Sequence, residues 1–439
     1  MAFPITAFLF ISLLISTTHA FESCKTSELS SDGLELSVLH MYGKCSPFSP
    51  PKHESWLDTV LNMAEKDPNR VNYLLTQKTV TAAPIASGQV MNIGNYIVRA
   101  KLGTPGQLMY MVMDTSNDAV WVPCSGCTGC SSTVFNPSLS TSFGSLDCKT
   151  TQCTQVRGLS CPTAAEANPC QFNQTYGGVD SSFSATLSQD SLNLGGVGVL
   201  SNLSFGCINS VSGHSVPPQG LLGLGRGSMS LVSQSQSLYS GVFSYCLPSF
   251  KSYYFSGSLK LGLSGQPKNI RTTPLLRNPR RPSLYYVNLT GISVGKVLVP
   301  VAPGLLDFDT TTGAGTIIDS GTVITRFKAP LYTALRDEFR KQVGKDISSL
   351  GAFDTCFLAT NEDQFPVITL HFTGMDLKLP TENTLIHSSS GSLACLAMAA
   401  ASSNAYSVLN VIANLQQQNF RILFDLTNSA LGISREICN

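Results

Sequence analysis

Apolar and polar positions alternate in texture along the 439 residues, and the changes of texture divide the chain. Residues 1–20 hold the apolar run Ala7 to Ile15, followed by Ser16, Thr17, Thr18, His19 and Ala20, the pattern of a signal peptide with a small-residue cleavage point. The other reading is a short membrane anchor, but the run is too short to span a bilayer comfortably, and stable membrane insertion is not expected. Residues 21–87 are more charged. Within them Ser55 to Leu75 sets Trp56, Leu57, Val60, Leu61 and Met63 at helical spacing. This reads as a prosegment that is removed, with a retained helical subdomain as the alternative. A change of texture across Ala83 to Gly88 marks the junction and predicts a mature N-terminus between Thr79 and Ile93.

Beyond the junction the period shortens. Tyr96, Ile97, Val98 and then Met109 to Met113 predict buried strands joined by a turn at Gly103, Thr104, Pro105 and Gly106. The second strand runs into Asp114. Gly315, Thr316, Ile317 and Ile318 deliver Asp319 in the same way, 205 residues later, so one element occurs twice and a two-lobed β protein is predicted, with lobes 88–270 and 271–439. After Asp319, Pro330 opens a helix with Leu331, Leu335, Phe339 and Val343 on one face.

Only 13% of residues are charged, which suits a mainly β protein, and the net charge is +1. Neither a basic stripe nor a charge block is present, so nucleic acid is excluded as a partner. Fourteen cysteines in a chain routed for secretion predict disulfides. With Cys24 and Cys45 in the prosegment, twelve remain for six bridges: Cys124, Cys127, Cys130, Cys148, Cys153, Cys161, Cys170, Cys207, Cys246, Cys356, Cys395 and Cys438. Their connectivity is open. A metal site at Cys124, Cys127 and Cys130 is the rival reading; no histidine lies near, and neither metal nor cofactor is expected. Sequons at Asn173, Asn202 and Asn288 predict glycosylation.

The candidate chemistry is Asp114-Thr115-Ser116 and Asp319-Ser320-Gly321-Thr322. An Asp followed by a hydroxyl and a small residue occurs by chance about once in a chain of this length, so each tripeptide alone means little. Context raises both. Each follows a strand, and each is followed about a hundred residues later by an apolar segment, Leu221-Leu222-Gly223 and Val411-Ile412-Ala413; Trp121 lies seven residues past Asp114. These residues resemble the pepsin-like aspartic proteases, within them the plant nucellin-like and chloroplast-nucleoid-protein-like branch, whose cysteine-rich insert follows the first Asp motif. The resemblance covers about 88–439. It implies a bilobal fold in which Asp114 and Asp319 meet at the base of a cleft and act as the catalytic pair, Thr115 and Ser320 cross-brace the two loops, and Tyr176 sits on a flap over substrate. It also implies a Cys356–Cys395 disulfide, a closing segment at Gln416 to Phe424, Asp425 and Leu431 to Ile433, polypeptide substrates, and a monomer secreted to the apoplast or cell wall.

Such a pair cleaves a peptide by holding a water between two carboxylates, one taking its proton while the other protonates the carbonyl. Two like charges in contact cannot both ionise cheaply, so they share a proton and activity is expected below neutrality. The chain departs from the family pattern at Ser116 and Ala413, both usually Gly, at Asn117, usually Ser or Thr, and in the flap run Tyr176-Gly177-Gly178-Val179-Asp180-Ser181. Ser116 would be strained at positive φ and costs little at negative φ. The competing function is a catalytically weak or inactive relative that uses the cleft for binding or inhibition.

Overall fold

The computed structural model describes residues 35–41, 56–76, 96–130, 134–161, 168–176, 181–194, 199–213, 216–217, 219–249, 257–344, 346–358, 365–388, 392–401 and 408–438. The expected signal peptide (1–20), Cys24, Cys45, the expected junction interval 79–93 and residues 177–180 of the expected flap lie outside them.

Two halves repeat one pairing scheme. β2 (Tyr96–Leu102) and β3 (Gln107–Asp114) form the predicted hairpin, with Leu102 opposite Gln107. Its turn uses Gly103 at φ +92°, where a Cβ would come within 2.9 Å of the Ser140 hydroxyl. β3 runs parallel to Leu221–Gly223, setting Met113 opposite Leu222, and Val120 returns antiparallel to the same Leu222. In the second half Gly315–Ile318 runs parallel to Leu409–Ile412, and Arg326 returns opposite Val411. Parallel strands covered on both faces are apolar throughout, and all four residues of Gly315–Ile318 are buried. The halves are joined by Val242–Cys246 pairing with Phe420–Asp425, and by Cys246–Cys438. Phe243 and Phe424 stack there at 4.6 Å.

Helix α3 (Ala329–Val343) carries Pro330 in its first turn and ends at Gly344 in the left-handed conformation. Leu331, Leu335 and Phe339 are buried as expected; Val343, in the last turn, is only half-buried.

The N-terminal segment contains an element that the sequence did not suggest. β1 (Glu35–His40) inserts between Gly257–Leu261 and β2, placing Val38 opposite both Gly257 and Val98. The amphipathic stretch after it forms two helices, α1 (Trp56–Ala64) and α2 (Asp67–Thr76). The break falls at Glu65 and Lys66, just before Pro68, which lacks an N–H and fits the first turn of α2 but not a helix interior. Leu57, Val60, Leu61 and Met63 bury against Val323, Ile324, Phe353 and Leu415, while Val71 and Leu74 pack with Tyr286, Ile317 and Val411. Four core side chains of α1, at about 1.5–3 kcal/mol each, amount to a gross contribution of roughly 10 kcal/mol before ordering costs.

Six disulfides occur among the described residues: Cys124–Cys207, Cys127–Cys130, Cys148–Cys161, Cys153–Cys170, Cys246–Cys438 and Cys356–Cys395. The sulfurs of the rival metal reading are therefore held in two bridges. Asn173 and Asn202 are exposed, and the Asn288 amide donates to Thr373. No described helix is long and apolar enough to cross a membrane.

Candidate active site

β3 ends at Asp114 and Asp319 directly follows the strand Gly315–Ile318, so the two parallel pairs aim both carboxylates at one point. The backbones of both loops are tied to the apolar segments singled out in the sequence: Leu224 N–H donates to the Asp114 carbonyl at 2.8 Å, and Asp319 N–H to the Ile412 carbonyl at 3.0 Å. Across the junction the bracing is reciprocal. Ser320 N–H donates to Thr115 Oγ1 at 3.0 Å, and Thr115 N–H to Ser320 Oγ at 3.2 Å. Thr322 Oγ1 donates to Asp319 Oδ2 at 2.6 Å, and Gly321 N–H to Oδ1 at 3.2 Å. Gln416, Gln417 and Asn414 bind backbone or side-chain atoms of this loop from the closing segment, Gln417 reaching the Asp319 carbonyl at 3.2 Å.

Ser116 stays at negative φ, so the departure from Gly brings no backbone strain. Its hydroxyl donates to Asp114 Oδ1 at 2.9 Å, as does its N–H. Ala413 is likewise unstrained, at φ −95°, ψ 173°. Asn117 turns away from the dyad and accepts from Ala119 N–H at 3.0 Å. Tyr176 ends the strand Gln171–Thr175, which forms a hairpin with Ser182–Asn193, and its hydroxyl donates to Asp114 Oδ2 at 2.9 Å. Trp121 packs edge-on to Tyr176 at 5.5 Å, and its buried Nε1 has no partner among the described residues.

The predicted site residues thus converge, and one more joins them. Arg70, on α2, enters the dyad: Nη2 lies 2.6 Å from Asp114 Oδ1, 3.3 Å from Asp319 Oδ1 and 2.6 Å from Ser116 Oγ, and Nη1 lies 2.9 Å from Asp114 Oδ2 and 3.3 Å from the Tyr176 hydroxyl. A single nitrogen reaches both carboxylates. A Cβ on Gly321 would lie 2.2 Å from Arg70 Nη2, so a residue without one is required for this approach. Burial alone would raise the Asp114 carboxyl, but the charge and hydrogen bonds of Arg70 outweigh it and hold that carboxyl below its ordinary range. Three residues earlier, Asp67 accepts from the N–H groups of Val323 and Ile324, both at 2.9 Å, anchoring α2 beside Asp319. Nothing in the sequence marked Arg70; its partners lie 44 and 249 residues away, and no motif surrounds it.

The mirrored strands and cross-braced Asp loops place this chain in the pepsin-like class of bilobal β proteins. Family models described as "Xylanase inhibitor N-terminal" and "Xylanase inhibitor C-terminal" match residues 96–263 and 284–435. The chain belongs to the plant aspartyl protease family. It is 63% identical to "Aspartyl protease AED3" of Arabidopsis thaliana, with 98% of each chain covered. It is 50% identical to "Aspartyl protease 25" of Oryza sativa subsp. japonica, covering 92% of this chain and 95% of that one. With "Aspartic proteinase nepenthesin-1" of Nepenthes gracilis the identity is 35%, over 79% and 78%. Among solved structures, basic 7S globulin from soybean shares the fold at TM-score 0.60 and 21% identity, over 78% of this chain and 93% of that one.

Proposed function

We propose that this chain is the precursor of a secreted aspartic endopeptidase, in which Asp114 and Asp319 activate water against a peptide bond and residues 21–87 are a removable, inhibitory prosegment. The observation that carries this reading is the guanidinium of Arg70 on both carboxylates. Two buried acids set face to face require either a shared proton or a cation between them. Arg70 supplies the cation, in the position where water would be held. Once it leaves, the pair shares a proton. The ionised member takes a proton from water as that water attacks the carbonyl carbon, and the protonated member donates to the carbonyl oxygen. Thr115, Ser320, Ser116 and Thr322 fix the acceptor geometry, and Tyr176 closes the flap side. The mature lobes would comprise 88–270 and 271–439.

Binding or inhibition by an inert cleft is the second reading, favoured by the descriptions of the matching family models. The retained dyad with its full set of donors weighs for hydrolysis. The test uses protein from which the prosegment has been removed. Cleavage of a denatured protein at pH 3 to 6, a window set by the carboxyl range, is expected for wild type and not for Asp114→Asn or Asp319→Asn. Undiminished cleavage by either variant overturns the assignment.

A further inference from the structure

Beside the loop that follows Asp114 lies a cavity of about 210 Å³, lined by Asn117, Asp118 and Ala119 of that loop. Its floor is apolar, from the buried side chains of Val120, Phe172, Leu187 and Met229. Two of its walls belong to the candidate active site itself: Asp118 is four residues past Asp114, and Gln174 is two residues before Tyr176. Arg157 stands on the rim, in the segment between Cys153 and Cys161.

Among the residues that line the cavity, Asp118 and Arg157 are the charged ones, and they are not equivalent. The Asp118 carboxylate is taken up. It accepts from Gly227 N–H at 2.7 Å, from the Ser283 hydroxyl and from Arg157 Nη2 at 3.1 Å, and its side chain is 19% exposed. Arg157 is 50% exposed and uses only Nη2, which also reaches Ser283 Oγ at 3.1 Å. Its Nε and Nη1 have no partner among the described residues. The exposed Arg277 and Arg280 precede Pro282 on the far wall, so the surroundings add positive charge. An apolar floor beneath a cation with spare donors matches a side chain that has an aliphatic stem and a carboxylate end.

We infer that this cavity is a substrate subsite for glutamate, with its methylenes against Phe172 and Met229 and its carboxylate on Arg157, within three residues of the bond cut. The inference rests on the protease reading and names the substrate class of that site.

The test is a set of peptides carrying Glu, Gln, Lys or Leu at each position within three residues of the cut, given to processed wild type, Arg157→Gln and Arg157→Lys at pH 5.5. A charge-assisted contact to a half-exposed arginine predicts about tenfold higher kcat/KM for Glu over Gln at one position. That ratio should fall to near one in Arg157→Gln and recover in part in Arg157→Lys. It should also fade below about pH 4, as the glutamate protonates, while the Gln peptide shows no such loss relative to Leu. The same ratio in all three proteins, or a preference for Leu over Glu at every position, overturns the subsite. If no peptide is cut, the protease reading fails instead, and the subsite is judged by the equilibrium affinity of uncleavable reduced-amide peptides. Equal affinity for the Glu and Gln forms then overturns it.

Discussion

In the precursor proposed above, acidification pulls on the docked segment 35–76 in two opposite directions. His40, in β1, is buried edge-on to Tyr96 at 5.3 Å, and burial lowers its pKa from 6.5 to about 3. Asp67, in α2, is pushed by burial from 3.8 up to about 6, with Arg326 and the N–H groups of Ile324 and Val323 opposing. The signs follow from linkage. A base with depressed docked pKa stabilises docking above its free value, and that stabilisation is lost as pH falls from about 6.5 toward 3. An acid with raised docked pKa does the reverse: its contribution is complete below its free value and is lost as pH rises through about 6. Between pH 7 and 4.5 the His40 loss is about 3 kcal/mol and the Asp67 gain about 2 kcal/mol, at 1.36 kcal/mol per unit. The two nearly cancel in the wild type. Removing either weight unbalances the pair: His40→Gln should hold the segment more firmly at pH 4.5 than at pH 7, and Asp67→Asn should lose about thirtyfold in docking relative to wild type on going from pH 7 to pH 4.5. Hydrogen exchange of the β1 and α2 amides, corrected for intrinsic pH dependence, reads this without any need for catalysis. Identical pH dependence in the three proteins would refute the reasoning.

Arg70→Ala strands two buried carboxylates, so a prosegment peptide added in trans should lose about 3–5 kcal/mol of affinity for the processed body, and unchanged inhibition would be inconsistent with a plug. Ser116→Gly removes hydroxyl contacts to both Arg70 and Asp114 without easing any backbone strain; weaker prosegment binding with peptidase activity kept is expected, and loss of activity would give Ser116 a role of its own. Tyr176→Ala should lower the rate constant more than it raises KM, since flap contacts tighten in the transition state; an unaltered rate constant removes Tyr176 from the site. Replacing both Cys246 and Cys438 by Ser should destabilise the protein by about 2–5 kcal/mol, measured by denaturant unfolding under non-reducing conditions.

The parts legible in the sequence were those with local signatures. Asp114 and Asp319 stand at the ends of apolar strands, and Leu221-Leu222-Gly223 and Val411-Ile412 are apolar because parallel neighbours cover both faces. The hairpin turn at Gly103 and the helix after Pro330 were legible for the same reason. Arg70 was not, because one arginine on a short helix looks solvated until the fold brings two carboxylates to it. β1 escaped notice for a related reason: Glu35-Leu-Ser-Val-Leu-His40 is brief, and only the open edges of β2 and Gly257–Leu261 make it a strand. Five of the six disulfides needed the tertiary path, since spacing cannot choose among pairings. Arg157 lies in a cysteine-rich stretch that Cys148–Cys161 and Cys153–Cys170 fold, and only the fold brings it to Asp118.

On the proposed precursor reading, Arg70 shares a chain with the dyad it covers, and the blockade becomes a matter of concentration. While the chain between Thr76 and Tyr96 is uncut, the guanidinium meets its carboxylates at an effective concentration that dilution does not change. Severing that interval changes no contact, yet it turns a fixed ratio into an equilibrium that responds to volume. Cut molecules crowded together in a vesicle would keep rebinding their prosegments, and the same molecules spread through a large extracellular space would not. Dilution alone would then complete what the cut began.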